Sequence, residues 1–224
     1  MRIIIVSAHP DDAETAAGGL IAKSAAAGHD VTILHGGPAL IGLEYQGRPS
    51  CDVRTEEAQA AADILGAKLD FFEWGHSNFM FNRQTLTQLA DYLAAKTPDL
   101  VIAHWPVDTH PDHQVIAALT TQAYLQQNKW QLAFFEVYAG IQTLEFTPNR
   151  YVDITDVIDQ KNRSILCHVS QDPRPQLQMH EKMSRFRGIE FGVEHAEAFR
   201  MMGLTAAGPA DEVFDPPRWY GRSD

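Results

Sequence analysis

The chain carries only two cysteines, Cys51 and Cys167, among 224 residues. They make neither a metal-type pair nor a disulfide framework, so a reducing compartment and a fold held by its own core are expected. Basic residues are few as well. Eighteen Lys and Arg stand against 29 Asp and Glu, a formal net charge of -11, which excludes a nucleic-acid backbone or an anionic membrane as the main partner. Long apolar runs are lacking: Ile3-Ile4-Ile5-Val6 reaches His9 and Asp11 far too early for a signal peptide or a membrane span. A cytoplasmic protein acting on a small neutral or polar molecule is the expectation. Gly18-Gly19 follow the first strand without a G-x-G-x-x-G, so the dinucleotide fingerprint is absent. No internal repeat, low-complexity segment or linker divides the chain, which reads as one domain over residues 1–224 with an extended tail from about residue 203.

What is present is histidine beside carboxylate. Ten histidines occur, and Ser7-Ala8-His9-Pro10-Asp11-Asp12-Ala13-Glu14 follows the first apolar run directly. An imidazole and three carboxylates at the end of a buried strand are costly without a partner or a metal. A second such cluster, His110-Pro111-Asp112-His113, follows the run Leu100 to His104.

Strands are expected at residues 2–7, Asp30 to His35, Leu69 to Trp74, Leu100 to His104, Leu132 to Tyr138 and Arg150 to Ile154. Helices are expected from Asp12 to Ala27, from a cap at Asp52 to Gly66, from a cap at Asn82 to Thr97, and after His113 on Val115, Ala118 and Leu119. Two more are expected from Asp156 to about Ser170 and from Pro173 to about Arg187, while residues 36–51 read as a long loop. Alternating strand and helix predicts an α/β fold, a Rossmann-like doubly wound, mostly parallel sheet with helices on both faces. With strand order 3-2-1-4-5, the first and fourth strands are neighbours, and their carboxyl ends form the switch point where ligands bind. Both clusters then meet in one crevice.

Two histidines and one carboxylate with an open fourth position is the ligand set of a catalytic zinc, and it also accepts Fe2+, Co2+ or Mn2+. His9, Asp12 and His113 suit that role. Asp11 is left to act as general base, and His110 to stabilise an oxyanion or protonate a leaving nitrogen with Asp112 orienting it. Blander uses compete at several positions. Asp12 can be a helix cap, Arg54 and Glu57 a surface pair, His104 a core histidine, and His168 and Gln171 capping or solvent-facing groups. Phe79 and Trp105 are core by base rate, with a sugar-stacking role as the alternative.

Ala8-His9-Pro10-Asp11-Asp12 with His110-Pro111-Asp112-His113 resembles the PIG-L/LmbE-type zinc-dependent N-acetylglucosaminyl deacetylases. Weaker similarity extends through Arg54-x-x-Glu57, Pro98-Asp99-Leu100-Val101, Val152-Asp153-Ile154-Thr155 with Lys161, His168-x-Ser170-Gln171 and Gly192 to Phe199. The resemblance implies hydrolysis of an acetamide on an amino sugar or its conjugate, with Zn2+ on His9, Asp12 and His113, and substrate contact at Arg54. It also implies a homo-oligomer, often a hexamer. Relatives tend to have Thr-x-Gly-Glu where this chain has His35-Gly36-Gly37-Pro38, and a Pro-Asp-Gly turn where it has Ser77-Asn78-Phe79. Both changes fall on substrate-facing loops, where Asn78 is a further candidate contact, beside Trp105 as a candidate stacking face. Rival readings are an amidase for a larger acyl or thiol-sugar conjugate, and a non-catalytic small-molecule-binding relative.

Overall fold

The computed structural model describes residues 1–38, 42–74, 79–137, 143–203 and 209–215. Strand β1 (Arg2–Ser7) lies inside a seven-stranded sheet, flanked by β2 (Asp30–His35) and by β6 (Leu100–His104), the central strand. Outside these come β5 (Lys68–Phe71) next to β2, and β7 (Gln131–Phe135) next to β6. These five strands are parallel, in the expected order.

The unbroken apolar sequence of β1 follows from its burial on both faces. Ile3 and Ile5 point into a core with Leu20, Ile21 and Leu65 from helices α1 (Asp12–Ala26) and α2 (Ser50–Leu65). Ile4 and Val6 point the other way, towards Leu89, Leu93, Ile116 and Leu119 from α3 (Arg83–Lys96) and α4 (Pro111–Gln127). The result is a three-layer α/β arrangement. Among the described residues, no helix is long and apolar enough to cross a membrane.

The far edge of the sheet departs from the parallel pattern. Strand β9 (Ala196–Met201), not expected from the sequence, runs antiparallel between β7 and β8 (Arg150–Asp153). Its polarity hid it: Glu197 interrupts the apolar run, yet it is buried, bonded to Lys161 Nζ at 2.6 Å and to the amides of Gly19 and Leu20 at 2.8 Å each. Gly19 permits this approach, because a Cβ there would lie 2.3 Å from Ile154 Cγ2.

Other boundaries shift. A small hairpin of β3 (Glu44–Tyr45) and β4 (Arg48–Pro49) interrupts the expected loop, and α2 starts at Ser50 after Pro49 rather than at a cap on Asp52. Strand β5 ends at Phe71 and β7 at Phe135, whereas Tyr138 lies outside the described residues. On α4, Ile116, Ala117 and Thr120 are buried with Leu119, while Val115 and Ala118 are only half-buried. The expected helix to Ser170 is a short α5 (Ile158–Ile165) followed by a 3-10 turn (Val169–Gln171), and α6 (Pro173–Phe191) runs on to Gly192 at φ 82°. Of the tail, Phe214 packs on Phe199 and the Asp215 carboxylate accepts the Asp153 amide at 2.6 Å. Trp219-Tyr220 lies outside the described residues.

Candidate active site

Adjacent strands β1 and β6 bring the starts of α1 and α4 to one crevice at the carboxyl edge of the sheet. After β1 the chain turns at Asp11, which caps α1 with φ 104° and ψ -28°, so Asp12 is the first helical residue rather than the cap. After β6, His110 caps α4, its Nδ1 accepting the Asp112 amide at 3.2 Å, and Pro111 sits at the first helical position, where its missing N–H costs nothing. Asp112 and His113 then occupy the first turn of α4, both buried.

Asp12 is the centre of the cluster. Its Oδ2 lies 3.4 Å from His9 Nδ1 and accepts the His9 amide at 2.8 Å, and its Oδ1 lies 3.3 Å from His113 Nε2. The second nitrogen of each ring is anchored on another carboxylate: His9 Nε2 on Asp112 at 3.0 Å, and His113 Nδ1 on Asp108 at 3.1 Å. With those nitrogens donating, the lone pairs that remain face Asp12. Carboxylate behind histidine is the arrangement that fixes metal-ligating rings. The Asp12 carboxylate thus faces both rings, one oxygen to each. The donor set fits a divalent ion.

Among the described residues, the groupings whose donor atoms all lie within 4.8 Å of one another are His9 with His110 and His113, and Asp12 with His104 and His113, so Asp12 and His113 link the two. His104 Nε2 accepts the Ala8 amide at 2.9 Å, which occupies its lone pair, and the ring stacks on His113 at 4.0 Å. It supports the site from the core side. His110 stands at the rim, 4.9 Å from the His9 ring and 4.5 Å from the His113 ring between centroids.

The electrostatics draw positive charge onto the rings around Asp12. Burial works against charging His9 and His113, but the carboxylates of Asp112, Asp12 and Asp108 outweigh it and push the two rings up to about 9 and about 10. Burial would raise Asp12, yet the His113, His104 and His9 rings hold it well below the usual carboxylate range. Asp11 goes the other way: burial and the neighbouring Asp12 charge push it up to about 6, against the pull of Arg54. Two adjacent carboxylates with separated affinities are the signature of divided roles. His110 is lowered by burial and by the neighbouring His113 and His9 rings, against the Asp112 and Asp12 carboxylates.

The structure thus gathers His9, Asp11, Asp12, His110, Asp112 and His113. The Asp112 carboxylate faces His9, and its link to His110 runs through its backbone amide. Arg54 is buried on α2, donating to the Pro10 carbonyl and lying 3.6 Å from Asp11 Oδ2. Its neighbour Glu57 accepts from the Ser170 amide and hydroxyl, so the two make no surface pair. Trp105 donates to the Leu144 carbonyl at 2.9 Å and packs edge-on against Phe134 and Phe146, away from the histidines. Asn78 lies outside the described residues. Phe79 stacks on His9 at 5.7 Å, in space left open by Gly36, where a Cβ would meet the Phe79 ring at 2.8 Å. Asp108 was not singled out from the sequence, although it stands five residues before His113 in the same stretch.

A family model described as PIG-L, GlcNAc-PI de-N-acetylase, matches residues 4–124, from β1 through most of α4. The chain belongs to the PIG-L family. Among curated proteins, this PIG-L chain is 27% identical over 221 residues to diacetylchitobiose deacetylase of Thermococcus kodakarensis, covering 90% of this chain and 83% of the relative. It is 28% identical over 224 residues to 4-oxalmesaconate hydratase of Pseudomonas putida, covering 91% and 83%. Among solved structures, the 4-carboxy-2-hydroxymuconate hydratase of Pseudomonas putida superposes with a TM-score of 0.80 at 25% identity, over 92% of this chain and 98% of that one. PIG-L relatives of this chain therefore include both a deacetylase and a hydratase.

Proposed function

We propose that the chain is a zinc-dependent N-deacetylase, a single-domain amidohydrolase that removes the acetyl group from an N-acetylated amino sugar or its conjugate. The observation that carries this reading is the pairing of Asp12, set between His9 and His113, with Asp11, a buried carboxylate of raised proton affinity beside it. Membership of the PIG-L family and the Thermococcus deacetylase support it.

In this reading His9, Asp12 and His113 hold the ion, which supplies Lewis-acid polarisation and a water of lowered pKa. Asp112 and Asp108 fix the tautomers that leave His9 Nδ1 and His113 Nε2 as donors. Asp11 takes the proton from the attacking water at its carboxylate. A group whose affinity lies near 6 accepts that proton near neutral pH and releases it again. His110, with Nδ1 occupied by the Asp112 amide, carries its proton on Nε2 and donates to the developing oxyanion or to the departing nitrogen. The family resemblance adds a homo-oligomer, such as a hexamer, and in this reading Asn78 is a substrate contact and the cytoplasm the setting.

The hydratase relative supports a second reading, in which the same centre adds water to an unsaturated acid. Such a substrate calls for cations facing the crevice. Arg54, the cation set against Asp11, is 5% exposed at its side chain and already engaged with Pro10 and Asp11, which favours the uncharged sugar. Acetate release from N-acetylglucosamine and N,N'-diacetylchitobiose, run beside hydration of 4-oxalmesaconate, separates the two. Acetate release is expected; hydration without acetate would overturn the deacetylase reading, and release of a longer acid from acyl conjugates alone would select the larger-acyl amidase.

A further inference from the structure

We infer that Glu14, His168 and Glu57 form a buried brace that holds Asp11 in its working backbone conformation, an inference that rests on Asp11 being the base. Asp11 has φ 104°, left-handed space that an L residue other than glycine seldom occupies. Such a conformation persists only where the surroundings over-determine it.

The surroundings do so through side chains for which the chemistry has no other use. Glu14 is fully buried, and its Oε2 accepts the Asp11 amide at 3.2 Å. Its Oε1 has no hydrogen-bond partner, but lies 3.5 Å from His168 Nε2 and 4.0 Å from His35 Nε2. His168 is also fully buried, with neither ring nitrogen hydrogen-bonded, and Glu14 is the carboxylate it meets. It is therefore neither a capping nor a solvent-facing group. His35 is the farther of the two rings, its Nε2 at 4.0 Å against 3.5 Å for His168 Nε2, so His168 is the nearer partner for the Glu14 carboxylate. The Glu14 carboxylate outweighs burial and raises the proton affinity of His168.

His168 is held in turn from α2. Two residues on, Ser170 donates its amide to Glu57 Oε1 at 2.7 Å and its hydroxyl to Glu57 Oε2 at 2.6 Å. One helical turn before Glu57 on α2, Arg54 donates to the Pro10 carbonyl and reaches Asp11 at 3.6 Å. The ring closes: Asp11, Glu14, His168, Ser170, Glu57, Arg54 and Asp11 again. Arg54-x-x-Glu57, Glu14 and His168-x-Ser170 thereby become one device. It acts through Asp11, so its members are positioning residues. Without the brace, Asp11 relaxes towards an ordinary φ and its carboxylate turns relative to Asp12.

The test places His168→Asn and Glu57→Ala each in the unsubstituted chain and in an Asp11→Asn chain, all loaded with one equivalent of zinc. In the unsubstituted background kcat for acetate release is expected to fall about 10-fold or more, the usual effect of removing an outer-shell partner, with KM and zinc content unchanged. In the Asp11→Asn background the residual turnover is expected not to fall further. Amide exchange of the metal-free protein over residues 8–15 is expected to quicken in both variants, a readout independent of the reaction catalysed. Unchanged kcat in both variants, an equal loss without the Asp11 carboxylate, or unchanged exchange would overturn the brace. If the unsubstituted chain releases no acetate, the functional reading fails on its own, while the exchange measurement still decides the brace.

Discussion

Asp108→Asn tests the metal centre at the group least visible in the sequence. The Asp108 carboxylate accepts twice: Oδ1 from the His110 amide at 2.8 Å, and Oδ2 from His113 Nδ1 at 3.1 Å. Burial would raise this carboxyl, but the His113 hydrogen bond and charge outweigh it and hold it below its ordinary value. An asparagine of the same shape has one acceptor and one donor end, so it cannot serve both. If its NH2 faces His110, two donors oppose one another. If its NH2 faces His113, the ring must carry its proton on Nε2, the nitrogen 3.3 Å from Asp12, and that nitrogen is lost as a donor to metal. Holding zinc forces the first arrangement, which leaves one buried donor unsatisfied, at about 1–3 kcal/mol. At about 1.4 kcal/mol per tenfold, zinc binding should weaken by roughly 5- to 150-fold. Competition with a chromophoric chelator measures this directly. A zinc Kd within about threefold of the unsubstituted protein would refute the role of Asp108 as the anchor of His113.

Three further outcomes are expected. Asp11→Asn should keep its zinc and retain only a small residual turnover, whereas His113→Ala should lose both, as metal analysis and acetate release will show. Burial depresses His35 from 6.5 to about 4, so the unfolded chain takes up that proton first and the folded state loses stability as pH falls from about 6.5 through about 4. The full effect is roughly 3 kcal/mol, and denaturant unfolding should show a flatter pH dependence in His35→Gln over that window. Gly19→Ala forces a methyl to within 2.3 Å of Ile154 Cγ2, which should destabilise by about 2 kcal/mol or more in urea unfolding while leaving zinc affinity nearly unchanged.

The parts legible in the sequence are those that depend on local pattern. The apolar runs and the helix signals at Gly28, Asn82 and Thr97-Pro98 mark the five parallel strands and the helices between them. The parallel order then puts His9 to Asp12 and His110 to His113 at one switch point. What escaped depends on distant partners. Glu197 reads as a surface residue until Lys161 and the amides at Gly19 and Leu20 are beside it. Glu57 and Ser170 stand 113 residues apart, and no periodicity links them. Even inside the second motif, the wiring of Asp112 to His9 rather than to the His110 ring follows from the pairing of β1 with β6, which sets the turn after β1 beside the start of α4. Spacing alone does not contain it.

The central claim is that His9, Asp12 and His113 hold one metal ion that serves an amide hydrolysis in which Asp11 is the base. Titrating zinc into chelator-treated protein while following acetate release from N,N'-diacetylchitobiose tests it most directly. The account predicts no release without metal, a linear rise to one equivalent per chain and a plateau there. Full turnover in the chelator-treated protein, or no acetate at any zinc level, would contradict it.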